Sequence, residues 1–390
     1  MSDISSTTDF NALGLISPLV SQLKLLNYTK PTQIQSAVIA PLLKGVDLQA
    51  RANTGSGKTA AFALPLLQLL CQKNNNESKR SANTIFSLVL LPTRELAAQV
   101  GQRIKDYGAL LQPHVKIVTA IGGVSINPQM QSLRGGADIL VATPGRLLDL
   151  VAHNAIKLNR VKHLVLDEAD RLLGLGFNQE LTALLNQLPK DKQTVLFSAT
   201  FDQEVNELIE QLLKNPLKID LLPEQDKVDI EQRVFEVSKE RKTALLINLL
   251  KTNDWSQVLV FANAKVSCNR LLQKLDKAGI PAEVFHGDKS QGNRSSVLNK
   301  FKTGGSRVLI ATDIAARGLD IDNLPAVINY ELPRSPLDYV HRIGRTGRAG
   351  KQGTAISLIN PDEFHHFHII EKKNKFKLTP EQYAGFEVVI

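Results

Sequence analysis

The sequence predicts an α/β protein of two domains, each built on a mostly parallel β-sheet flanked by helices. Short runs of Val, Ile and Leu alternate with longer stretches in which apolar residues recur at three- and four-residue spacing. The runs are almost continuously apolar, which is typical of strands covered on both faces. The length of 390 residues corresponds to two or three domains at roughly 150 residues per domain.

The predicted strands follow one another in regular order. In the first half they are 46–52, 86–91, 117–121, 139–142, 163–166 and 194–197. In the second half they are 258–261, 282–285, 308–311, 326–329 and 355–359. Amphipathic stretches such as 59–70 and 203–213 predict helices between them.

The break between the two halves is predicted where helix and strand patterns both stop. Pro216 and Pro223 interrupt the chain, and the charged segment 224–227 follows them. We therefore expect an N-terminal domain at 1–217, a linker at 218–229 and a C-terminal domain at 230–390.

Charge and composition restrict the partners of the protein. Lys and Arg number 47 against 38 Asp and Glu, a net charge of +9 that favours a polyanionic partner. Aromatic residues are only 5%, so we do not expect nucleic-acid bases to be held mainly by aromatic stacking.

The two cysteines, Cys71 and Cys268, exclude a disulfide framework and a Cys-based zinc site. The N-terminus lacks the features of a signal peptide, and no long apolar run predicts a membrane span. These observations predict a soluble, cytoplasmic protein.

A glycine-rich loop, Ala52-Asn-Thr-Gly-Ser-Gly-Lys-Thr59, lies between a predicted strand and a predicted helix. Such a loop turns several backbone N–H groups toward one phosphate chain, and the helix N-terminus adds positive potential. Lys58 provides a charge for the outer phosphates, and the Thr59 hydroxyl is a ligand for Mg²⁺. The residues that we expect to surround the phosphates are Thr54, Gly55, Ser56, Gly57, Lys58 and Thr59.

An acidic segment, Asp167-Glu-Ala-Asp170, follows a buried strand. Its carboxylates repel one another at the end of that strand, and a divalent metal would relieve the repulsion. We expect Asp167 to bind Mg²⁺ and Glu168 to orient and polarise the attacking water.

At this point the sequence resembles the DEAD-box ATP-dependent RNA helicases of superfamily 2. The acidic segment is the motif that names the family. The other matching motifs are Phe10, Tyr28 and 31–35 (the Q motif), 92–96, Gly122-Gly123, 143–146, 198–200, 260–263, Gln291 with Arg294, 312–320 and 341–348. They occur in the family's order along nearly the whole chain. Asn27 and Gln33 stand where the Q motif often has Gly and Pro.

The resemblance implies two RecA-like domains that bind ATP between them and RNA across both. Neither the glycine-rich loop nor the acidic segment offers an arginine for the charge that develops on the γ-phosphate. Arg345 and Arg348 of the second domain would supply it as arginine fingers, so hydrolysis would require domain closure.

The remaining roles also follow from the resemblance. The adenine would be bound by Thr32 and Gln35 with Tyr28 or Phe10 packed against it, and the ribose by Asp320. The ATP site would be coupled to RNA through Asp170, Ser198, Thr200 and His341. The RNA backbone would be held by Arg94, Gly123, Thr143, Arg146, Gln291, Arg294 and Thr312. These contacts predict sequence-independent, salt-sensitive binding.

The sequence favours an RNA-dependent ATPase that separates short duplexes, with ATP and Mg²⁺ as cofactors and a monomeric core. Two alternatives stay open, an ATP-gated RNA clamp or assembly platform and a DNA-directed motor of the same superfamily. Near the C-terminus, the histidines at 365, 366 and 368 fit a helix face better than a metal site. The lysines at 372, 373, 375 and 377 are consistent with either an extended RNA path or a solvated surface.

Overall fold

The protein forms two compact units, Met1–Glu224 and Gln225–Ile390, in a computed structural model. The structure describes residues 9–52, 55–72, 83–174, 176–221, 230–316, 321, 323–347 and 352–387. None of the helices in these ranges is long and apolar enough to span a bilayer.

The first unit contains a sheet of seven parallel strands in the order β3-β4-β2-β5-β6-β1-β7. Its strands are β1 Leu48–Arg51, β2 Ile85–Leu90, β3 Ile117–Ala120, β4 Ala137–Ala142, β5 His163–Leu166, β6 Gln193–Ser198 and β7 Leu217–Asp220. Its helices are α1 Ser17–Leu25, α2 Gln33–Leu43, α3 Lys58–Gln72, α4 Arg94–Tyr107, α5 Ile126–Ser132, α6 Pro144–Ala152, α7 Ala169–Gly174, α8 Asn178–Leu185 and α9 Gln203–Leu212.

The second unit repeats this architecture with seven parallel strands in the order β10-β11-β9-β12-β13-β8-β14. Its strands are β8 Ile230–Glu236, β9 Val258–Phe261, β10 Ala282–Phe285, β11 Val308–Ala311, β12 Ala326–Asn329, β13 Gly353–Ile359 and β14 Glu381–Gln382. Its helices are α10 Lys242–Thr252, α11 Lys265–Lys277, α12 Gln291–Lys302, α13 Asp313–Ala316, α14 Pro336–Ile343 and α15 Phe364–Asn374.

Helices cover both faces of each sheet, as the continuous apolar runs predict. Along β2, Leu88 and Leu90 pack into one core cluster, whereas Val89 and Leu91 pack into the other. Because successive side chains of a strand point to opposite faces, a strand buried on both faces needs apolar residues at every position. The α/β fold class with parallel sheets is confirmed.

The structure changes one boundary of the predicted linker. Residues Leu217–Asp220, most of which fall in the predicted range 218–229, form the edge strand β7 beside β1. The Arg51 guanidinium also pairs with the Asp220 carboxylate at 3.2 Å. A strand this short and exposed has no apolar run to reveal it. Residues 222–229 of the linker lie outside the described residues.

The parallel arrangement places the carboxyl ends of all strands of a unit at one edge of its sheet. In the first unit, β1 leads into the glycine-rich loop, β5 into the acidic segment and β6 into Ser198-Ala-Thr200. Segments far apart in sequence therefore meet at this edge, where open α/β sheets bind their ligands.

The second unit buries a titratable group, His286, directly after β10. His286 is 2% exposed, and its Nε2 atom lies 3.1 Å from Oδ1 of Asn269. Burial lowers the pKa of His286; Lys289, Lys265 and Arg294 act in the same direction, and Asp288 opposes them. The folded unit therefore holds this imidazole in its neutral form.

We predict that the second unit loses stability as the pH falls below about 6.5, because the unfolded His286 then binds a proton that the folded one resists. One proton limits this loss to at most about 1.4 kcal/mol per pH unit. Trp255, the single tryptophan, packs against the core of this unit, so its fluorescence during urea unfolding measures the effect. His286→Gln should flatten the pH dependence below 6.5; equal slopes for both proteins would contradict the assignment.

Candidate functional site

The glycine-rich loop leads directly into the N-terminus of α3. Gly55 and Gly57 have φ angles of +83° and +96°, in the left-handed region that favours glycine. Helix α3 begins at Lys58, so the unpaired N–H groups of its first turn lie where the loop ends. A glycine-rich loop followed by a helix N-terminus is a common phosphate-binding arrangement in proteins. Of the predicted residues, Thr54 lies outside the described ones.

The centre of the site is a buried pair formed by Lys58 and Asp167. Lys58 Nζ lies 3.6 Å from Oδ1 of Asp167, and both side chains are less than one-tenth exposed. The same ammonium donates to the carbonyl oxygen of Ala52 at 3.2 Å. Burial raises the pKa of Asp167, and the charge of Lys58 opposes that rise. A buried carboxylate is therefore held beside the loop that carries the Thr59 hydroxyl, and oxygen ligands of this kind suit Mg²⁺.

The other two carboxylates of the acidic segment have partners of their own. Glu168, with φ +54°, pairs through Oε2 with Nη1 of Arg171 at 2.9 Å. Asp170 accepts a hydrogen bond from the Thr200 hydroxyl at 3.3 Å, and burial raises the pKa of Asp170. In the described part of the chain, no three His, Cys, Asp or Glu side chains are grouped to hold a metal. The predicted Mg²⁺ ligands are Asp167 and Thr59, and binding of the metal by these two residues stays a prediction.

A chain of hydrogen bonds connects the end of β1 with Asp170. The Ala52 N–H donates to the carbonyl oxygen of Ser198 at 3.3 Å, and the Ser198 hydroxyl donates to the carbonyl oxygen of Thr200 at 2.6 Å. Thr200 in turn bonds Asp170. The three coupling residues predicted in the first unit thus lie together. His341, the fourth, lies on α14 of the second unit, and its role stays a prediction.

The Q-motif residues Thr32 and Gln35 pack against the glycine-rich loop. Gln35 Oε1 accepts from the Thr32 N–H at 3.0 Å, and Gln35 Nε2 donates to the carbonyl oxygen of Gly57 at 3.2 Å. A Cβ atom on Gly57 would lie 2.5 Å from Gln35 Nε2. The glycine is therefore required both for its φ angle and for this close approach. Recognition of adenine by Thr32 and Gln35 stays a prediction.

The two aromatic candidates for the base differ in their surroundings. Phe10 is 2% exposed and belongs to the hydrophobic core, whereas Tyr28 is half-buried. The Tyr28 hydroxyl lies 2.9 Å from the hydroxyl of Tyr107, and the two rings meet edge to face. Asn27, which replaces the usual glycine, has φ +62°, a conformation that Asn adopts more readily than other side chains. The substitution therefore keeps the shape of the turn.

The RNA candidates of the first unit meet at the turn after β3. A Cβ atom on Gly123 would lie 2.9 Å from Cζ of Arg94, so the guanidinium packs directly on the backbone of this turn. Arg146 Nη2 donates to the carbonyl oxygen of Val124 at 2.8 Å. Its Nη1 has no hydrogen-bond acceptor within the described ranges. This atom can therefore donate a hydrogen bond to a phosphate oxygen. Thr143 lies at the N-terminus of the same helix, α6.

Sequence reasoning missed Gln129, which holds this turn in place. Its side-chain amide accepts from the Ile121 N–H at 3.1 Å and donates to the Ile121 carbonyl oxygen at 3.0 Å. Gln129 is one residue of a short polar helix, and no sequence feature distinguishes it from its neighbours.

The candidates of the second unit are mostly buried. Gln291 and Arg294 lie in the first turn of α12, with the Arg294 guanidinium 4.8 Å above the ring of Phe285. Thr312 follows β11, and Arg345 is buried after α14. Asp320 and Arg348 lie outside the described residues.

Sequence reasoning also missed Arg342, which has the most hydrogen-bonded side chain among the described residues of this unit. Its guanidinium pairs with both carboxylate oxygens of Asp313, at 2.5 and 2.6 Å. It also donates to Asn329 Oδ1, the Glu331 carbonyl oxygen and Asn263 Oδ1. Arg342 therefore joins three of the matching segments, those that contain Asn263, Asp313 and Arg345. Arg342 is only 1% exposed, and nothing in this basic sequence segment indicates that it is buried.

This fold and site define a nucleotide-binding protein with two α/β units and a phosphate loop. Residues 32–208 match the family model of the DEAD/DEAH box helicases, and residues 241–350 match the helicase conserved C-terminal domain. The chain is 40% identical to ATP-dependent RNA helicase CshA of Listeria monocytogenes, covering 96% of this chain and 70% of that protein. It is 39% identical to ATP-dependent RNA helicase DbpA of Bacillus subtilis, covering 95% and 73%. The chain belongs to the DEAD/DEAH box helicase family.

Solved structures agree with this family and show that the two sheets are tandem RecA-like domains. S. cerevisiae Dbp5 bound to RNA and ADP BeF3 is similar with a TM-score of 0.83 at 29% identity, covering 97% of this chain and 96% of that one. A DEAD box protein from Methanococcus jannaschii is similar with a TM-score of 0.53 at 38% identity, covering 96% and 99%.

We predict that Arg342→Met destabilises the second unit by about 3 kcal/mol, because it leaves the Asp313 carboxylate without its partner. Urea unfolding followed by Trp255 fluorescence measures this change. Lys251→Met, which removes an exposed lysine of the same unit, is the matched control and should have little effect. A loss below about 1 kcal/mol for Arg342→Met would contradict the central role of this guanidinium.

Proposed function

We propose that this chain is an ATP-dependent RNA helicase, which hydrolyses ATP when RNA is bound and separates short RNA duplexes locally. The observation that carries the proposal is the buried Lys58–Asp167 pair at the start of α3, with Glu168 held beside it. The family, its RNA helicase relatives and the RNA-bound neighbour support the same activity.

The first unit would bind the triphosphate. N–H groups of the glycine-rich loop and of the first turn of α3 would surround the phosphates, and Lys58 would neutralise their charge. Thr59 and Asp167 would hold Mg²⁺, which would supply positive charge to stabilise the phosphates. Thr32 and Gln35 would recognise the adenine edge, because a site that hydrogen-bonds one base leaves polar groups unpaired with another.

Glu168 would orient the attacking water and accept its proton. The ion pair with Arg171 fixes the position of this carboxylate.

The second unit would supply the charge that the first one lacks. Charge accumulates on the γ-phosphate during hydrolysis, and Arg345 and Arg348 would stabilise it once the two domains close. ATP and RNA would both favour the closed form, so each would strengthen the binding of the other. Hydrolysis would then reset the open form.

RNA would be held through its sugar-phosphate backbone. Arg94, Gly123, Thr143 and Arg146 in the first unit, with Gln291, Arg294 and Thr312 in the second, include no reader of base edges. We therefore expect sequence-independent binding, salt sensitivity and discrimination of RNA from DNA through the 2′-hydroxyl. The core would act as a monomer.

The decisive functional experiment compares RNA and DNA of one sequence as activators of ATP hydrolysis and follows strand separation of a short RNA duplex. We predict that RNA stimulates turnover far more than DNA and that strand separation requires ATP. Hydrolysis without strand separation would indicate a clamp, and equal stimulation by DNA would indicate a DNA-directed motor.

We predict that Glu168→Gln lowers kcat for ATP by about 10²- to 10⁴-fold while ATP and RNA binding persist, because the amide keeps the shape but cannot accept the proton. Single-turnover hydrolysis and RNA binding in the presence of ATP measure both properties. Glu204→Gln, at an exposed position of α9, is the control. Full turnover by the Glu168 variant would show that another group activates the water.

A further inference from the structure

The C-terminal part of the second unit carries a basic surface outside the family motifs. Between Phe364 and Leu378 the chain has four lysines and a single carboxylate, Glu371. All four lysines are exposed. We call this surface the α15 basic patch, which consists of Lys372, Lys373, Lys375 and Lys377.

The fold directs these lysines outward in two different ways. On α15, Phe367, Ile370 and Glu371 face the protein, which leaves Lys372 and Lys373 on the opposite side. Lys375 then ends the helix in the left-handed conformation, with φ +56°. In the segment that follows, the Phe376 ring stacks on Tyr339 at 5.2 Å, and Leu378 packs against the same core cluster.

Nothing in the described part of the chain neutralises the patch. None of its four lysines forms an ion pair there. Glu371 is buried and accepts from the Leu378 N–H at 2.8 Å, with His368 Nδ1 3.0 Å from its other oxygen. Glu363, at the other end of α15, pairs with Lys242. The positive charge is therefore available to an external anion.

The patch is held rigidly next to α14, the helix that leads to Arg345. His366 Nε2 lies 2.7 Å from the carbonyl oxygen of Pro333, and Asn374 Nδ2 donates to the carbonyl oxygen of Pro336 at 2.9 Å. Arg334, between these two contacts, is exposed and adds a further positive charge. Since the backbone is already ordered, a polyanion can bind without the entropic cost of folding a loose tail.

We propose that the α15 basic patch is an additional RNA-binding surface, which contacts phosphates of RNA that extends beyond the core motifs. This inference rests on the proposed function and adds to it a second, sequence-independent contact. A phospholipid surface fits less well, because Phe367 and Ile370 of α15 are buried and Ile369, 44% exposed, is the one large apolar side chain that this helix exposes. Lysines on a surface without a base-stacking aromatic suit phosphates rather than bases.

The test is the double variant Lys372→Gln/Lys373→Gln. Its affinity for single-stranded RNA of about 10 and about 30 nucleotides, the shorter close to one core site, is measured by fluorescence anisotropy over a series of salt concentrations. The matched control is Lys251→Gln/Lys277→Gln, which removes the same charge from exposed positions of α10 and α11.

We expect the double variant to bind the longer RNA several-fold more weakly. The slope of log K against log salt concentration should become shallower by about 1.4, which is about 0.7 for each lost phosphate contact. Binding of the shorter RNA and its stimulation of ATP hydrolysis should stay unchanged. If the patch variant and the control bind the longer RNA equally, the proposal is overturned, and an acidic protein becomes the better candidate partner. Failure of RNA to stimulate the unmodified protein would instead refute the proposed function itself.

Discussion

The attraction between Lys58 and Asp167 is the interaction on which the rest of the site depends. Both groups are buried, so each charge is costly without the other, and the pair fixes the start of α3 relative to the end of β5. This geometry brings a phosphate-binding helix N-terminus next to an oxygen ligand suited to a divalent cation. Removal of either partner would leave an uncompensated charge in the same place where the triphosphate is proposed to bind.

The second unit also contains a buried ion pair, which connects several segments of that unit. Arg342 gathers Asp313, Asn263 and the end of β12 around one buried guanidinium. Thr312 is adjacent to Asp313, and Arg345 follows Arg342 by three residues. Thr312, which is proposed to contact RNA, is therefore linked through Asp313 and Arg342 to Arg345, which is proposed to contact the γ-phosphate. In the proposed mechanism, this connection would link RNA binding to hydrolysis.

The sequence was sufficient to predict the fold class, since strands buried on both faces of a parallel sheet leave local apolar patterns. It also assigned Lys58 and Asp167 to one site, and the two side chains lie 3.6 Å apart, whereas their roles in binding nucleotide stay predictions. All of the predicted strands are present. The sequence could not reveal the edge strands β7 and β14, because edge strands need few apolar residues. It also did not reveal β8, in which Ile230, Val234 and Phe235 are the only apolar residues. It also could not show that Glu168 and Asp170 have separate partners, or that Gln129 and Arg342 are central. Those contacts join residues that are distant in sequence, and only the packed structure brings them together.

The proposed mechanism requires ATP and RNA to bring the two units together before ATP is hydrolysed. The most direct measurement records energy transfer between dyes at Lys105→Cys and Lys277→Cys, with Cys71 and Cys268 replaced by Ala, while phosphate release is followed in the same sample. We predict that ATP and RNA together bring the dyes closer and that phosphate release begins only then. Phosphate release at the full RNA-stimulated rate, without any change in energy transfer, would contradict it.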